Sequence, residues 1–171
     1  YATELLRSVD MTGVREAALK VVVDCAGGTA SLVLPELLGR IGVDVLTVNN
    51  RLDEASPTQS LAQLRAGMQR LSELVASARA AFGVRFDQVG ERIQLVDDKG
   101  AMVSDDRALL VVLDLIAAER RAGQVALPVT TTRVAERVSG FHGVKVVWTP
   151  TSLHRLTEAT AADDVIFGAD G

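Results

Sequence analysis

The strongest fold signal of the chain lies in residues 19–49, "LKVVVDCAGGTASLVLPELLGRIGVDVLTVN". It begins with a β-branched run at residues 19–24, which predicts a buried parallel strand. A glycine turn follows, and then a helical stretch at residues 31–42, with Ser31 as the expected N-cap and Gly42 as the expected end. A second apolar run closes the stretch and predicts another buried strand. This order predicts a β-α-β unit, which is typical of α/β folds.

The alternation of strands and helices continues beyond this unit. An amphipathic stretch at residues 61–80 predicts a helix, which Gly67 is expected to bend or break. Residues 82–86 and 92–96 predict two strands on either side of a loop. The turn sequence "DDKG" at residues 97–100 then predicts a hairpin with a returning strand.

A second series of elements starts near residue 105. The clearest helix of the chain is predicted at residues 105–123, with acids at its start, arginines near its end and Gly123 as its stop. Strands are predicted at 124–129, 144–149 and 164–168, with helices at 130–141 and 150–163, and a further helix at the start of the chain, residues 1–8. The sequence therefore predicts two α/β domains, residues 1–104 and 105–171, each a mixed β-sheet flanked by α-helices.

Composition excludes several classes of partner. The chain has 22 acidic and 18 basic residues, for a formal net charge of −4, and no long basic run, so no nucleic-acid partner is expected. No apolar run is long enough to span a membrane, so no membrane partner is expected either. The single cysteine, Cys25, indicates a reducing, cytoplasmic location and is expected to be buried and inert.

The glycine turn "CAGGTAS", residues 25–31, lies between a predicted strand and a predicted helix. Turns at such positions can hold phosphate on the N-terminus of the helix. The G-x-G-x-x-G and G-K-[ST] signatures are both absent, which favours a structural turn.

The loop "DQVGER", residues 87–92, has the polar composition of a metal site. Asp87 and Glu91 are candidate Mg²⁺ ligands, and Arg92 is a candidate phosphate ligand. Val89, in the middle of the loop, can offer only its backbone carbonyl. The alternative interpretation is a solvated hairpin tip with a local ion pair.

The order of these segments resembles domains two and three of the α-D-phosphohexomutases, the phosphomannomutase and phosphoglucomutase superfamily. Residues 20–49 are similar to the opening of the family's domain two, and "DQVGER" occupies the place of its metal loop, D-G-D-[AG]-D-R. The hairpin at 96–100 and the run at 127–159 are also similar to the family. "VIFGADG", residues 165–171, lies where the family has its sugar-binding loop, G-E-E-S-G.

The two family loops are altered in this chain. In the metal loop, the resemblance assigns Asp87 as the first ligand and retains Arg92, whereas Val89 replaces the second aspartate and Glu91 the third. In the sugar loop, Gly168 is retained and is followed by Ala169, Asp170 and Gly171 in place of Glu-Glu-Ser. The resemblance therefore implies degenerate metal and sugar loops on a retained scaffold.

The resemblance also implies a function. Family members are intramolecular phosphotransferases that use Mg²⁺, and their phosphoserine and phosphate clamp lie in domains one and four, so no catalytic residue is assigned in this chain. We expect a domain pair of carbohydrate metabolism that binds no metal and is inactive alone. Its expected partners are a sugar phosphate and the remaining domains of a larger chain, of the mannose-1-phosphate guanylyltransferase (nucleotidyltransferase) kind. Two alternatives stay open, a fragment of an active mutase and a protein-interaction module.

Overall fold

The computed structural model describes residues 6–7, 10–53 and 59–170. The chain divides into two compact units, residues 1–103 and 104–171. Each unit places helices against its own β-sheet, which confirms the predicted α/β fold. No helix in the described part of the chain is long and apolar enough to cross a membrane. The helix expected at the N-terminus lies mostly outside the described residues.

The first unit is built on a five-stranded sheet. Its strands are β1 (Lys20–Asp24), β2 (Asp44–Val48), β3 (Phe82–Phe86), β4 (Ile93–Val96) and β5 (Met102–Val103). The helices described here are α1 (Met11–Glu16), α2 (Leu34–Ile41) and α3 (Leu61–Ala78), with a 3₁₀ turn at Thr29–Leu32. The strand order is β2-β1-β3-β4-β5; β1 is parallel to β2 and β3, and the β3-β4 and β4-β5 pairs are antiparallel. This sheet is mixed, as predicted.

The second unit has a smaller sheet. Its strands are β6 (Gln124–Pro128), β7 (Lys145–Thr149) and β8 (Val165–Gly168), and its helices are α4 (Asp105–Arg120), α5 (Val134–Phe141) and α6 (Leu153–Thr160). The order is β7-β6-β8, and both described strand pairs are parallel. The sheet predicted to be mixed is therefore parallel in its described strands, because helices connect successive strands here and no hairpin occurs.

Each unit has its own hydrophobic core. In the first unit, successive valines of β1 point to opposite faces and both faces are covered. Val22 packs with Leu71 and Val75 of α3, whereas Val21 and Val23 belong to a cluster on the other face. In the second unit, the core consists of Leu109, Leu113, Ala117, Val125, Leu127, Ala135 and Val144. The β-branched run of β1 is thus the centre of the first core.

Local details differ from the predictions at helix ends and at the sheet edge. Ser31 does not cap α2; its hydroxyl donates to the Gly28 carbonyl (2.6 Å) inside the 3₁₀ turn, and α2 starts at Leu34. Strand β2 was expected to be buried, but it lies at the edge of the sheet and is only partly covered. Gly42 does end α2, in the left-handed conformation with φ of 95°.

The long helix of the second unit is shorter than predicted. Helix α4 stops at Arg120 because Arg121 adopts the left-handed conformation, with φ of 53°, and its N–H donates to the Ala117 carbonyl (2.8 Å). Gly123 was expected to stop the helix. It has a φ of 100° and instead precedes β6. The C-cap role thus falls on an arginine that tolerates positive φ.

Candidate functional site

The loop between β3 and β4 is held in shape by Asp87. Its Oδ1 atom accepts hydrogen bonds from the backbone N–H groups of Gly90 (2.7 Å), Glu91 (2.8 Å) and Arg92 (3.2 Å). The N–H of Asp87 donates to the Arg92 carbonyl (3.0 Å) and closes the turn. The structure thus brings the three loop residues singled out in the sequence together, with Asp87 organising the backbone of the turn.

The tip of this loop is attached to the glycine turn that follows β1. The N–H of Thr29 donates to the Gln88 carbonyl (3.0 Å), and the Thr29 hydroxyl donates to the Val89 carbonyl (2.9 Å). A Cβ atom at Gly28 would lie 2.5 Å from the Cα of Gln88. Gly28 is therefore required here because two backbone segments approach closely.

Three successive amide groups of the glycine turn are engaged within the chain. Ala26 donates to the Asp24 carboxylate (2.9 Å), Gly27 to the Asn49 carbonyl (2.9 Å) and Gly28 to the Cys25 carbonyl (2.8 Å). Because a phosphate cradle needs unpaired N–H groups, this geometry favours the structural turn.

The oxygen atoms of the loop form a poor donor set for Mg²⁺. Val89 has an apolar side chain that is 63% exposed, and its carbonyl is already bonded to Thr29. Asp87 and Glu91 are the only carboxylates of the loop, and one oxygen of Asp87 carries three hydrogen bonds. Among residues 6–7, 10–53 and 59–170, no cluster of three or more His, Cys, Asp or Glu side chains could hold a metal ion. This arrangement does not fit a dedicated Mg²⁺ site.

The residues that the resemblance assigns to the sugar loop begin at the last residue of β8 in the second unit. Gly168 is the last residue of β8, and a side chain there would collide with Thr160 of α6. The N–H of Ala169 donates to the Ala126 carbonyl (3.4 Å), and Asp170 is exposed. Gly171 lies outside the described residues. The retained glycine thus has a packing role in this structure.

A buried ion pair in the first unit was not anticipated from the sequence. Asp24, at the end of β1, is paired with Arg85 of β3, and their side chains are 2% and 4% exposed. The other oxygen of Asp24 accepts hydrogen bonds from Asn49 Nδ2 (2.8 Å) and from the N–H of Ala26 (2.9 Å). Arg85 also donates to the Gln59 side chain. Removing either charge would leave its partner buried without compensation.

Gly67 makes room for this arginine. A Cβ atom at Gly67 would lie 2.7 Å from Nη1 of Arg85 and 2.8 Å from its Cζ. Helix α3 continues unbroken through Gly67, so the helix does not break there. The glycine serves the close approach of a side chain from a neighbouring strand.

The Arg85 guanidinium also lines a cleft of about 620 Å³ at the carboxyl ends of β1, β2 and β3. The lining residues are Ala26, Gly27, Asn49, Arg51, Leu52, Asp53, Gln59, Gln63, Ala66, Gly67, Arg70, Arg85 and Gln88. Three of these side chains are guanidinium groups and only one is a carboxylate. The cleft is therefore polar and biased toward positive charge.

Cys25 lies directly beside this network and is fully buried. Burial raises the pKa of its thiol, and the negative charge of Asp24 raises that pKa further. The thiol therefore stays protonated at neutral pH, which argues against a role as a nucleophile or a metal ligand.

A sequence signal for this network does exist. Arg85 lies between Val84 and Phe86 in a predicted strand, and Asp24 ends the apolar run of β1. A charged residue inside a buried strand is rarely left without a partner of opposite charge. The partner itself could be identified only once β1 and β3 were known to be neighbours.

Comparison with known proteins relates both the chain and its fold to one group. Residues 1–100 match the family model described as phosphoglucomutase/phosphomannomutase, alpha/beta/alpha domain II. The chain is 27% identical to a phosphoglucomutase/phosphomannomutase of Thermococcus kodakarensis, over 87% of this chain and 33% of that protein. It is 32% identical to a "probable phosphoglucosamine mutase" of Methanosarcina acetivorans, over 92% of this chain and 36% of that protein.

A solved structure of a phosphoglucomutase/phosphomannomutase family protein from Burkholderia thailandensis superposes with a TM-score of 0.76. It covers 89% of this chain and 33% of the other, at 20% sequence identity, so this likeness concerns the fold. The chain thus spans about a third of the length of the relatives that it matches.

Proposed function

Because the chain belongs to the phosphoglucomutase/phosphomannomutase family, we propose that it is the second and third domains of a larger protein that handles hexose phosphates. In this proposal, residues 1–103 correspond to domain two and residues 104–171 to domain three, and Gly168–Gly171 form a reduced sugar loop. The proposed setting is the cytoplasm, which agrees with a single, buried and unpaired cysteine.

We further propose that the loop at 87–92 holds no Mg²⁺ and that the chain alone performs no mutase reaction. The observation that supports this is the hydrogen bonding of Asp87, whose Oδ1 receives three backbone amides of its own loop. Phosphoryl transfer depends on positioning and on neutralising charge with metal ions. A turn that is closed by its own aspartate and has valine at its centre does not supply a complete ligand set for Mg²⁺. Without that ion, the loop lacks the positive charge that would neutralise the phosphoryl group during its transfer.

Calorimetric titration of the chain with Mg²⁺ and Mn²⁺ tests the metal proposal. We expect no saturable binding at millimolar concentrations. The triple variant Gln88→Gly, Val89→Asp and Glu91→Asp should acquire measurable affinity, because it adds oxygen ligands at an exposed tip that tolerates substitution within about 0.5 kcal/mol. A one-to-one Mg²⁺ site in the unaltered chain that is lost in Asp87→Ala would contradict the proposal.

The larger protein in this proposal is a mannose-1-phosphate guanylyltransferase-like chain, in which the mutase-like domains bind or position substrate while another domain carries the chemistry. The altered metal loop supports this parent. The second candidate is an active mutase, which the names of the relatives favour. A coupled mutase assay on the complete natural protein separates the two, because turnover that is lost in Arg92→Ala would establish the second candidate.

A further inference from the structure

We propose that the cleft at the carboxyl ends of β1, β2 and β3 binds the phosphate group of a small polar phosphate monoester. The guanidinium groups that would contact the phosphate are those of Arg51, Arg70 and Arg85. The metal ligands assigned to the loop, Asp87 and Glu91, do not line this cleft. The inferred site therefore does not use the assigned metal ligands, and it borders their loop at Gln88.

The position of the cleft suits a ligand site. Strand β1 is parallel to both of its neighbours, so the three strands end at the same edge of the sheet. Open α/β sheets bind their ligands outside the carboxyl ends of parallel strands. The volume of about 620 Å³ lies within the range of about 300–1,000 Å³ that is typical of small-molecule pockets.

Two exposed arginines give the cleft its excess of positive charge. Arg51 follows β2, and Arg70 lies on α3; neither forms a hydrogen bond or an ion pair with any residue that the structure describes. The cleft contains a single carboxylate, that of Asp53. Because the guanidinium fork matches the oxygens of phosphate, an anion with two charges and several acceptors is the complementary ligand.

The third arginine makes this a preorganised site. Arg85 is 3% exposed, and its guanidinium is held by Asp24 behind it and by Gln59 beside it. Gly67 leaves the space that this guanidinium occupies. A group fixed in this way loses little conformational freedom on binding, which favours affinity.

The remaining lining fits a polar molecule that carries the phosphate. Gln63, in the first turn of the 18-residue helix α3, places the positive end of that helix at the cleft. Gln59 and Asn49 add amide groups, which can hydrogen-bond hydroxyls. The choice of a sugar phosphate rests on the proposed function, whereas the anion site rests on the cleft alone.

Titration of the whole chain with inorganic phosphate, glucose 6-phosphate, glucose and citrate tests the site. We expect saturable one-to-one binding of glucose 6-phosphate, weaker binding of phosphate and none of glucose, measured at low ionic strength. The double variant Arg51→Gln and Arg70→Gln should lose about tenfold or more in affinity for glucose 6-phosphate, because each lost guanidinium removes a charge-assisted hydrogen bond. The metal titration of the loop is a separate measurement, so the two proposals can fail independently.

Arg65→Gln is the matched control, because Arg65 is an exposed arginine of the same helix that does not line the cleft. It should bind glucose 6-phosphate as the unaltered chain does, and all variants should unfold at similar urea concentrations. Three results would overturn the inference. They are the absence of saturable binding by either phosphate compound, equal binding by the double variant and the unaltered chain, and citrate binding as tight as that of glucose 6-phosphate.

Discussion

At the residue scale, the buried pair of Asp24 and Arg85 is the most consequential interaction of the first unit. Each side chain is almost completely withdrawn from water. The cost of burying both charges is offset only because they meet each other and further hydrogen-bond partners, Asn49 and Gln59 among them. The pair also fixes one wall of the cleft, so the same contact serves stability and the inferred binding site.

Asp24→Asn should lower the free energy of unfolding by about 3–5 kcal/mol, because it leaves the Arg85 guanidinium buried without a counter-charge. Urea unfolding monitored by circular dichroism measures this. Asp44→Asn is the matched control, since Asp44 pairs with Lys20 at 3.6 Å on the surface and both side chains are well exposed. That substitution should change stability by no more than about 1 kcal/mol. Equal effects of the two substitutions would show that Asp24 and Arg85 contribute no more than a surface pair.

At the element scale, two helical glycines have opposite surroundings. Gly67 in α3 faces the Arg85 guanidinium, whereas a Cβ atom at Gly39 in α2 would meet nothing within 4 Å. Intrinsic helix propensity favours alanine over glycine by about 1 kcal/mol at either position. The side-chain environment therefore decides whether each glycine-to-alanine substitution raises or lowers the free energy of unfolding.

Gly39→Ala should raise the free energy of unfolding by about 0.5–1 kcal/mol, through propensity alone. Gly67→Ala should lower it by about 1–3 kcal/mol, because the new methyl group displaces a guanidinium that is tied to Asp24. Thermal and urea unfolding of both variants give the comparison. A stabilising Gly67→Ala would mean that Arg85 relocates at little cost.

The elements also show where sequence reasoning succeeds and where it stops. The β-branched run of β1 and the amphipathic pattern of α3 are local signals, and both elements form where they were predicted. The prediction of Ser31 as the N-cap of α2 was wrong because Ser31 lies inside the 3₁₀ turn that precedes the helix, where its hydroxyl donates to the Gly28 carbonyl. Strand β2 lies at the edge because, of the strands that the structure describes, only β1 pairs with it, and the local sequence of a strand does not indicate how many neighbours it has.

The candidate site likewise has one part that the sequence predicts and one part that it does not. The loop at 87–92 could be located from its residues, because acids, glycine and arginine between two strands form a compact local pattern. The cleft could not be located, since Arg51, Arg70 and Arg85 are brought together only by strand order and by the packing of α3. Gly67 was read as a helix irregularity because the arginine that requires it lies in a different element.

At the scale of the whole molecule, the two units have separate cores. The clusters around Val22 and Val23 contain residues of the first unit only, and the cluster around Leu113 contains residues of the second unit only. Apolar burial is the main favourable contribution to folding, so each unit carries its own driving force. The second unit is the smaller, and smaller chains bury a smaller fraction of their surface on folding.

Residues 1–103 should therefore fold cooperatively when expressed alone, whereas residues 104–171 should be marginally stable, because chains of about 60–70 residues gain little from a single core. Circular dichroism melting curves and the dispersion of amide proton signals test both fragments. If the first fragment is unfolded while the complete chain is folded, the units depend on each other and the prediction is wrong.

In evolutionary terms, the turn that Asp87 closes can keep its shape while the side chains around it change. A loop whose shape depends on a bound cation is under selection at every ligand at once. Here the amides of residues 90–92 receive their acceptor from Asp87, so the turn keeps its shape without an ion, and positions 88, 89 and 91 can drift without a folding penalty. Under the proposal that the loop holds no Mg²⁺, a single substitution at any of them completes no ligand set and brings no benefit. Under the same proposal, an ion site here requires several substitutions together, so the effects of those substitutions on metal binding are epistatic.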